Sequence, residues 1–144
     1  MTQLKVLAVD DEPDQLAMLV DLLKDQGYQI DTAPDGLAAL THVQDFQPDL
    51  ILVDANMPRM NGFTFCEALR QCATTAAIPV IMLTGLYSHL GKLNSFAHGS
   101  RAYLVKPFNP DELLDVIRNI LNLPDPPRGQ QSDALRKKRK PNRS

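Results

Sequence analysis

Apolar runs and apolar stripes alternate along this chain. Leu4 to Val9 is apolar except for Lys5 and reads as a buried strand that stops at Asp10-Asp11. Pro13 suits the first turn of a helix, where its missing N–H costs nothing. Leu16, Leu19, Val20 and Leu23 then follow at helical spacing, and Gly27 is placed to end that helix. Tyr28 to Thr32 has the alternation of a short strand. Pro34-Asp35-Gly36 is a turn, and a second helix is expected from about Leu37 to Phe46, with Leu37, Leu40 and Val43 inward. Leu50-Ile51-Leu52-Val53 is an unbroken apolar run that ends at Asp54. Asn61 suits the N-cap of a third helix, with Phe63, Cys66 and Leu69 on one face. Pro79 to Leu83 is another buried strand, ending at Thr84-Gly85. A fourth helix is expected between about Tyr87 and Ala97, and a fifth strand over Ala102 to Val105, ending at Lys106-Pro107. Asn109, Pro110 and the Asp111-Glu112 pair open a last helix whose expected inner face is Leu113, Val116, Ile117, Ile120 and Leu121.

Strand and helix thus repeat five times. Buried apolar strands alternating with amphipathic helices imply an α/β architecture, a parallel sheet covered on both faces with right-handed crossovers.

Composition changes this picture only at the C-terminal end. A chain of 144 residues, 44% hydrophobic and 22% charged, has the make-up of one ordinary globular domain. No apolar run approaches the length of about 18 residues that a membrane span needs. The N-terminal apolar run stops too early for a secretory signal, and the two cysteines fit a reducing cytoplasm. Cys66 and Cys72 do not share a helix face, so core filling is the better reading for them than a metal pair. His42, His89 and His98 have no partners at ligand spacing.

The net charge of −2 hides an asymmetry. From Pro124 onward seven basic residues face two acidic ones, a net +5, which leaves −7 on the first 123 residues from eight basic and fifteen acidic side chains. Residues 1–123 are expected to form the folded domain and 124–144 a disordered basic tail, too short and too polar for a core of its own.

The chemistry collects at the strand ends. Asp10-Asp11, Asp54, Thr84 and Lys106 each follow an apolar run, and in an open parallel sheet those ends share one edge, beside the crevice where ligands bind. Three carboxylates a few ångström apart cannot all ionise uncompensated, and Lys106 supplies only one positive charge. A divalent cation removes the deficit. An all-oxygen donor set suits Mg²⁺, and the absence of Cys or His at a strand end argues against zinc or copper.

These residues resemble the receiver domain of two-component response regulators. The resemblance rests on Val9-Asp10-Asp11-Glu12, on Leu52-Val53-Asp54 with Met57-Pro58-Arg59-Met60-Asn61-Gly62, on Met82-Leu83-Thr84-Gly85, and on Tyr103-Leu104-Val105-Lys106-Pro107-Phe108. It covers about residues 3 to 123. The resemblance implies a doubly wound, five-stranded parallel sheet of strand order 2-1-3-4-5, like the chemotaxis receiver. It implies that Asp54 is the phosphoacceptor, that Asp10, Asp11 and Asp54 hold Mg²⁺ together with the backbone carbonyl of Asn56, that Lys106 pairs with the phosphoryl group, and that Thr84 and Tyr103 are the switch hydroxyl and switch aromatic. The implied function is that of a stand-alone response regulator, which accepts a phosphoryl group from a histidine kinase or a histidine phosphotransfer protein. It would be a switch rather than an enzyme, catalysing only its own phosphorylation and dephosphorylation, and it would signal to a downstream protein on the face that contains Tyr103.

Two other functions compete. The run Arg136-Lys137-Lys138-Arg139-Lys140 is the kind that binds phosphate backbones by counterion release, so the fold could be an inert platform for nucleic acid. Against this, the tail carries no aromatic side chain for stacking on bases. A flavodoxin-like enzyme is disfavoured, because no glycine-rich phosphate loop follows the first strand and Asp-Asp-Glu-Pro would repel a phosphate lacking a metal.

Overall fold

Four short apolar runs and one mixed segment, Gln29–Ala33, build the sheet. The computed structural model describes residues 3–57, 60–85 and 99–124. In these, β1 (Lys5–Val9), α1 (Pro13–Asp25), β2 (Gln29–Ala33), α2 (Gly36–Phe46), β3 (Leu50–Asp54), α3 (Gly62–Arg70), β4 (Val80–Thr84), β5 (Ala102–Val105) and α4 (Pro110–Ile120) follow in order. The helix expected over 87–97 and the tail from 125 onward, with Arg136 to Lys140, lie outside the described residues. The chain divides into two units, residues 1–106 and 107–144.

The first unit holds the sheet. All neighbouring strands are parallel, in the order β2-β1-β3-β4-β5. Every residue of β3 and β4 is buried, as expected for central strands covered on both faces. Leu7, Val9, Ile51, Val53, Val80 and Met82 share one core with Ala39 and Val43 of α2 and Phe65, Cys66 and Leu69 of α3. Helix α1 packs on β1 and β2 and buries Leu19 and Leu23. The edge strand β5 is half-buried along its whole length, where the sequence pattern read as buried.

Local signals set the helix ends. Gly27 takes φ 89, and the N–H groups of Gly27 and Tyr28 donate to the carbonyls of Lys24 and Leu23, a Schellman end for α1. Asp35 caps α2 by accepting from Ala38 N–H, and Asn61 caps α3 by accepting from Thr64 N–H.

The inward faces of α2 and α3 are rotated from those expected. Helix α2 buries Gly36, Ala39 and Val43, while Leu37 is 43% exposed and Leu40 partly buried. Small residues face inward because the neighbour is close: a Cβ on Gly36 would sit 2.9 Å from Met60 Cγ. In α3, Phe65 is fully buried with Cys66 and Leu69, and Phe63 only partly. Cys72 lies beyond the end of α3 and is exposed, so only Cys66 fills the core.

In the second unit Asn109 caps α4 by accepting from Asp111 N–H. The buried residues are Leu113, Leu114, Ile117 and Arg118, whereas Val116, Ile120 and Leu121 are half-buried. The apolar stripe therefore runs through 113, 114, 117 and 118, with the stem of Arg118 taking an apolar position.

Candidate functional site at the carboxyl edge of the sheet

The carboxyl ends of β1, β3 and β4 bring together the residues that the sequence set apart. Asp10 immediately follows β1 and is 1% exposed, Asp54 ends β3 and is 6% exposed, and Thr84 ends β4 and is 2% exposed. Lys106 follows β5, and its backbone N–H donates to the Thr84 carbonyl at 2.6 Å, which ties the two strand ends together.

The two aspartates are held in the same way. Asp10 Oδ1 accepts from Glu12 N–H at 3.0 Å, and Asp54 Oδ1 accepts from Asn56 N–H at 3.0 Å. Both are Asx turns, a side chain bonding to the backbone two residues on. Each turn leaves the other oxygen free to face Lys106, whose Nζ donates to Asp10 Oδ2 at 2.9 Å and to Asp54 Oδ2 at 3.4 Å.

Burial raises the Asp54 pKa from its ordinary value, and the Asp10 charge adds to that, while the Asn56 N–H and Lys106 work against it. For Lys106, burial alone would lower the pKa, but Asp10 and Asp54 reverse that and the net shift is upward. The ammonium therefore stays charged between the two carboxylates.

Glycine floors the site. A Cβ on Gly62 would lie 2.7 Å from the Asp54 carbonyl oxygen and 2.7 Å from Met82 Sδ. The Gly62 N–H donates to the Ala55 carbonyl at 3.0 Å, so α3 starts directly against the strand end that carries Asp54.

A third carboxylate joins the pair, and it comes from Glu12. Oxygens of Asp10, Glu12 and Asp54 all lie within 4.8 Å of one another. Asp11 is exposed and outside this group, and Asn56 is exposed with its N–H turned to Asp54. Tyr103, opposite Met82 in the β4–β5 register, is half-buried and packs against the core that α2 and α3 share. The sequence reading missed Glu12. The available signal was its place at the end of the Asp-Asp-Glu run, where an Asx turn from Asp10 fixes its backbone.

The donors fit a hard divalent cation. The grouped atoms are all carboxylate oxygens, and the three negative charges against one ammonium leave a net −2. The described residues offer neither thiol nor imidazole to this group.

The comparisons with known proteins agree with this geometry. The family model described as "Response regulator receiver domain" matches residues 6–118, and the chain belongs to that family. The chain is 37% identical over 121 residues to the "DNA-binding dual master transcriptional regulator RpaA" of Synechocystis sp., covering 84% of this chain and 50% of the relative. It is 38% identical over 123 residues to the "Probable transcriptional regulator ycf27" of Cyanophora paradoxa, covering 85% of this chain and 50% of that protein. It thus spans about half the length of these curated relatives. Among solved structures, the chemotaxis protein CheY4 of Vibrio cholerae superposes with a TM-score of 0.79 at 40% identity, over 83% of this chain and 99% of that one. A putative response regulator from Chloroflexus aurantiacus gives a TM-score of 0.80 at 34% identity, over 84% and 99% of the two chains. The expected strand order and receiver fold are those observed. Among the described residues no helix is long and apolar enough to cross a membrane.

Proposed function

We propose that this receiver domain accepts a phosphoryl group on Asp54 from a histidine kinase or a histidine phosphotransfer protein and signals through altered partner binding. The observation that carries the reading is the placing of the Asp54 carboxylate beside Asp10, with Lys106 bridging the two. One Asp54 oxygen attacks phosphorus in line as the phosphorus–nitrogen bond of the phosphohistidine breaks. The electron pair leaves on the histidine nitrogen, which takes up a proton, and an acyl phosphate remains.

The chain's own residues prepare this step. The Asn56 N–H fixes Asp54 Oδ1, so the carboxylate cannot rotate freely. Lys106 is already charged and partly desolvated, and it can turn from Asp10 towards the phosphoryl oxygens without reorganising bulk water. Asp10, Asp11, Asp54 and the Asn56 carbonyl are the residues we assign to Mg²⁺, with Thr84 and Tyr103 as the switch pair. When bound, Mg²⁺ supplies positive charge to the transferring phosphoryl group. The product carries about one more negative charge than the free carboxylate. That charge draws the Thr84 hydroxyl, and Tyr103 on the neighbouring strand follows, which changes the face a downstream protein reads. A phosphoacceptor switch of this kind turns over no substrate other than its own phosphoryl group.

The basic run Arg136 to Lys140 offers a second outlet, a polyanion. It is tested by titrating labelled DNA at two salt concentrations against the parent and a variant with those five residues changed to Gln. The phosphotransfer reading is tested with a labelled histidine phosphotransfer protein and Mg²⁺. Movement of label to this chain supports it, and label retained on the donor contradicts it.

A further inference from the structure

Glu12 is the N-cap of α1, at φ −100 and ψ 113, yet its side chain makes no capping hydrogen bond. Ser, Thr, Asp and Asn are the side chains that ordinarily accept a backbone N–H of the first turn, and the longer Glu12 side chain is not engaged in that way. The carboxylate instead lies within 4.8 Å of the oxygens of Asp10 and Asp54, two groups of its own charge. The residue is exposed, and among the described residues nothing donates a hydrogen bond or gives an ion pair to its carboxylate. Repulsion from two like charges at that separation is unfavourable, and an exposed side chain has room to swing away. The Glu12 N–H donates to Asp10 Oδ1, which anchors the residue's backbone at the rim of the site.

We propose that Glu12 is a further cation-positioning residue of this receiver, closing the solvent side of a site whose buried side is Asp10 and Asp54. The inference rests on the Mg²⁺ reading above and adds to it a residue that was not among the expected ligands. Within the grouped carboxylates, Asp10 and Asp54 with Lys106 carry −1, and Glu12 brings that group to −2. As an exposed group on a cation that keeps several waters, a carboxylate at this rim accepts hydrogen bonds from the cation's water shell.

The test is calorimetric titration of the full chain with Mg²⁺, for the parent, Glu12→Gln and Asp14→Asn. Asp14 is the control, an exposed acid in the first turn of the same helix but outside the grouped carboxylates. Glu12→Gln should weaken Mg²⁺ binding about tenfold, while Asp14→Asn should change it less than about twofold, since a more distant exposed charge is screened. Without metal, Glu12→Gln should melt above the parent, because one repelling charge is gone. Equal affinities for the two variants overturn the role of Glu12 while leaving the Mg²⁺ reading intact. A parent that binds no Mg²⁺ overturns both.

Discussion

Lys106 Nζ donates a 2.9 Å hydrogen bond to Asp10 Oδ2, joining residues 96 apart in sequence at the carboxyl edge of the sheet. Asp10 is 1% exposed, so Lys106 and the Glu12 N–H replace the water that this carboxylate has lost. Lys106→Met would strand a buried charge, and the expected cost is about 3 kcal/mol in the metal-free protein. Adding Asp10→Asn to it should restore part of that loss. Denaturant melts of the two single variants and the double variant check this, and strict additivity would show that the pair is not coupled. Because the folded-state pKa of Lys106 is raised, this stabilisation is fully present below its ordinary value of 10.5 and is lost as pH climbs through the raised one.

Asp54 behaves in the opposite sense. Its pKa is raised from 3.8, chiefly by burial, so the folded state disfavours the ionised form. Stability contributed by the protonated form is present below 3.8 and is lost as pH rises through the raised value. Asp54→Asn should therefore melt above the parent at pH 7 without metal, and the gap should shrink as pH falls towards 3.8. Melting curves across that range measure it. A gap that stays constant would mean that Asp54 is not strained by ionisation.

Gly62→Ala tests the floor of the site. The added methyl meets the Asp54 carbonyl, which is backbone and cannot swing aside as a side chain would. A loss of about 1–3 kcal/mol is expected, together with slower phosphorylation as the strand end is displaced. Unchanged stability would show that α3 can retreat at no cost.

The two thiols should differ sharply. Cys66 is fully buried, and burial pushes its pKa up to about 11. Cys72 is exposed, and hydrogen bonding with Thr74 lowers its pKa. An alkylating reagent should therefore label Cys72 in the native protein and Cys66 only after unfolding. Mass analysis of partly labelled protein reads this directly, and simultaneous labelling would contradict it.

Much of the site was legible because its chemistry sits where periodicity changes. An apolar run that ends in Asp10, Asp54, Thr84 or Lys106 marks both a strand and its carboxyl edge, and the parallel sheet brings those ends together. Helix faces were harder to read. Leu37 and Leu40 have the spacing of an inward stripe, but Gly36, Ala39 and Val43 are the buried residues, and at Gly36 an added Cβ would sit 2.9 Å from Met60 Cγ. Hydrophobicity ranks leucine above glycine, and close approach reverses the order. Glu12 escaped notice for another reason: it follows the Asp10-Asp11 pair rather than ending a strand, and only three-dimensional geometry brings its carboxylate within 4.8 Å of Asp10 and Asp54.

The account turns on where the phosphoryl group goes. The most direct measurement is mass mapping of peptides after exposure to acetyl phosphate and Mg²⁺, with Asp54→Asn alongside. One phosphoryl group on the peptide that contains Asp54, absent from the variant and from protein held in excess chelator, is the predicted result. Equal incorporation by Asp54→Asn, or full incorporation in chelator, would contradict it.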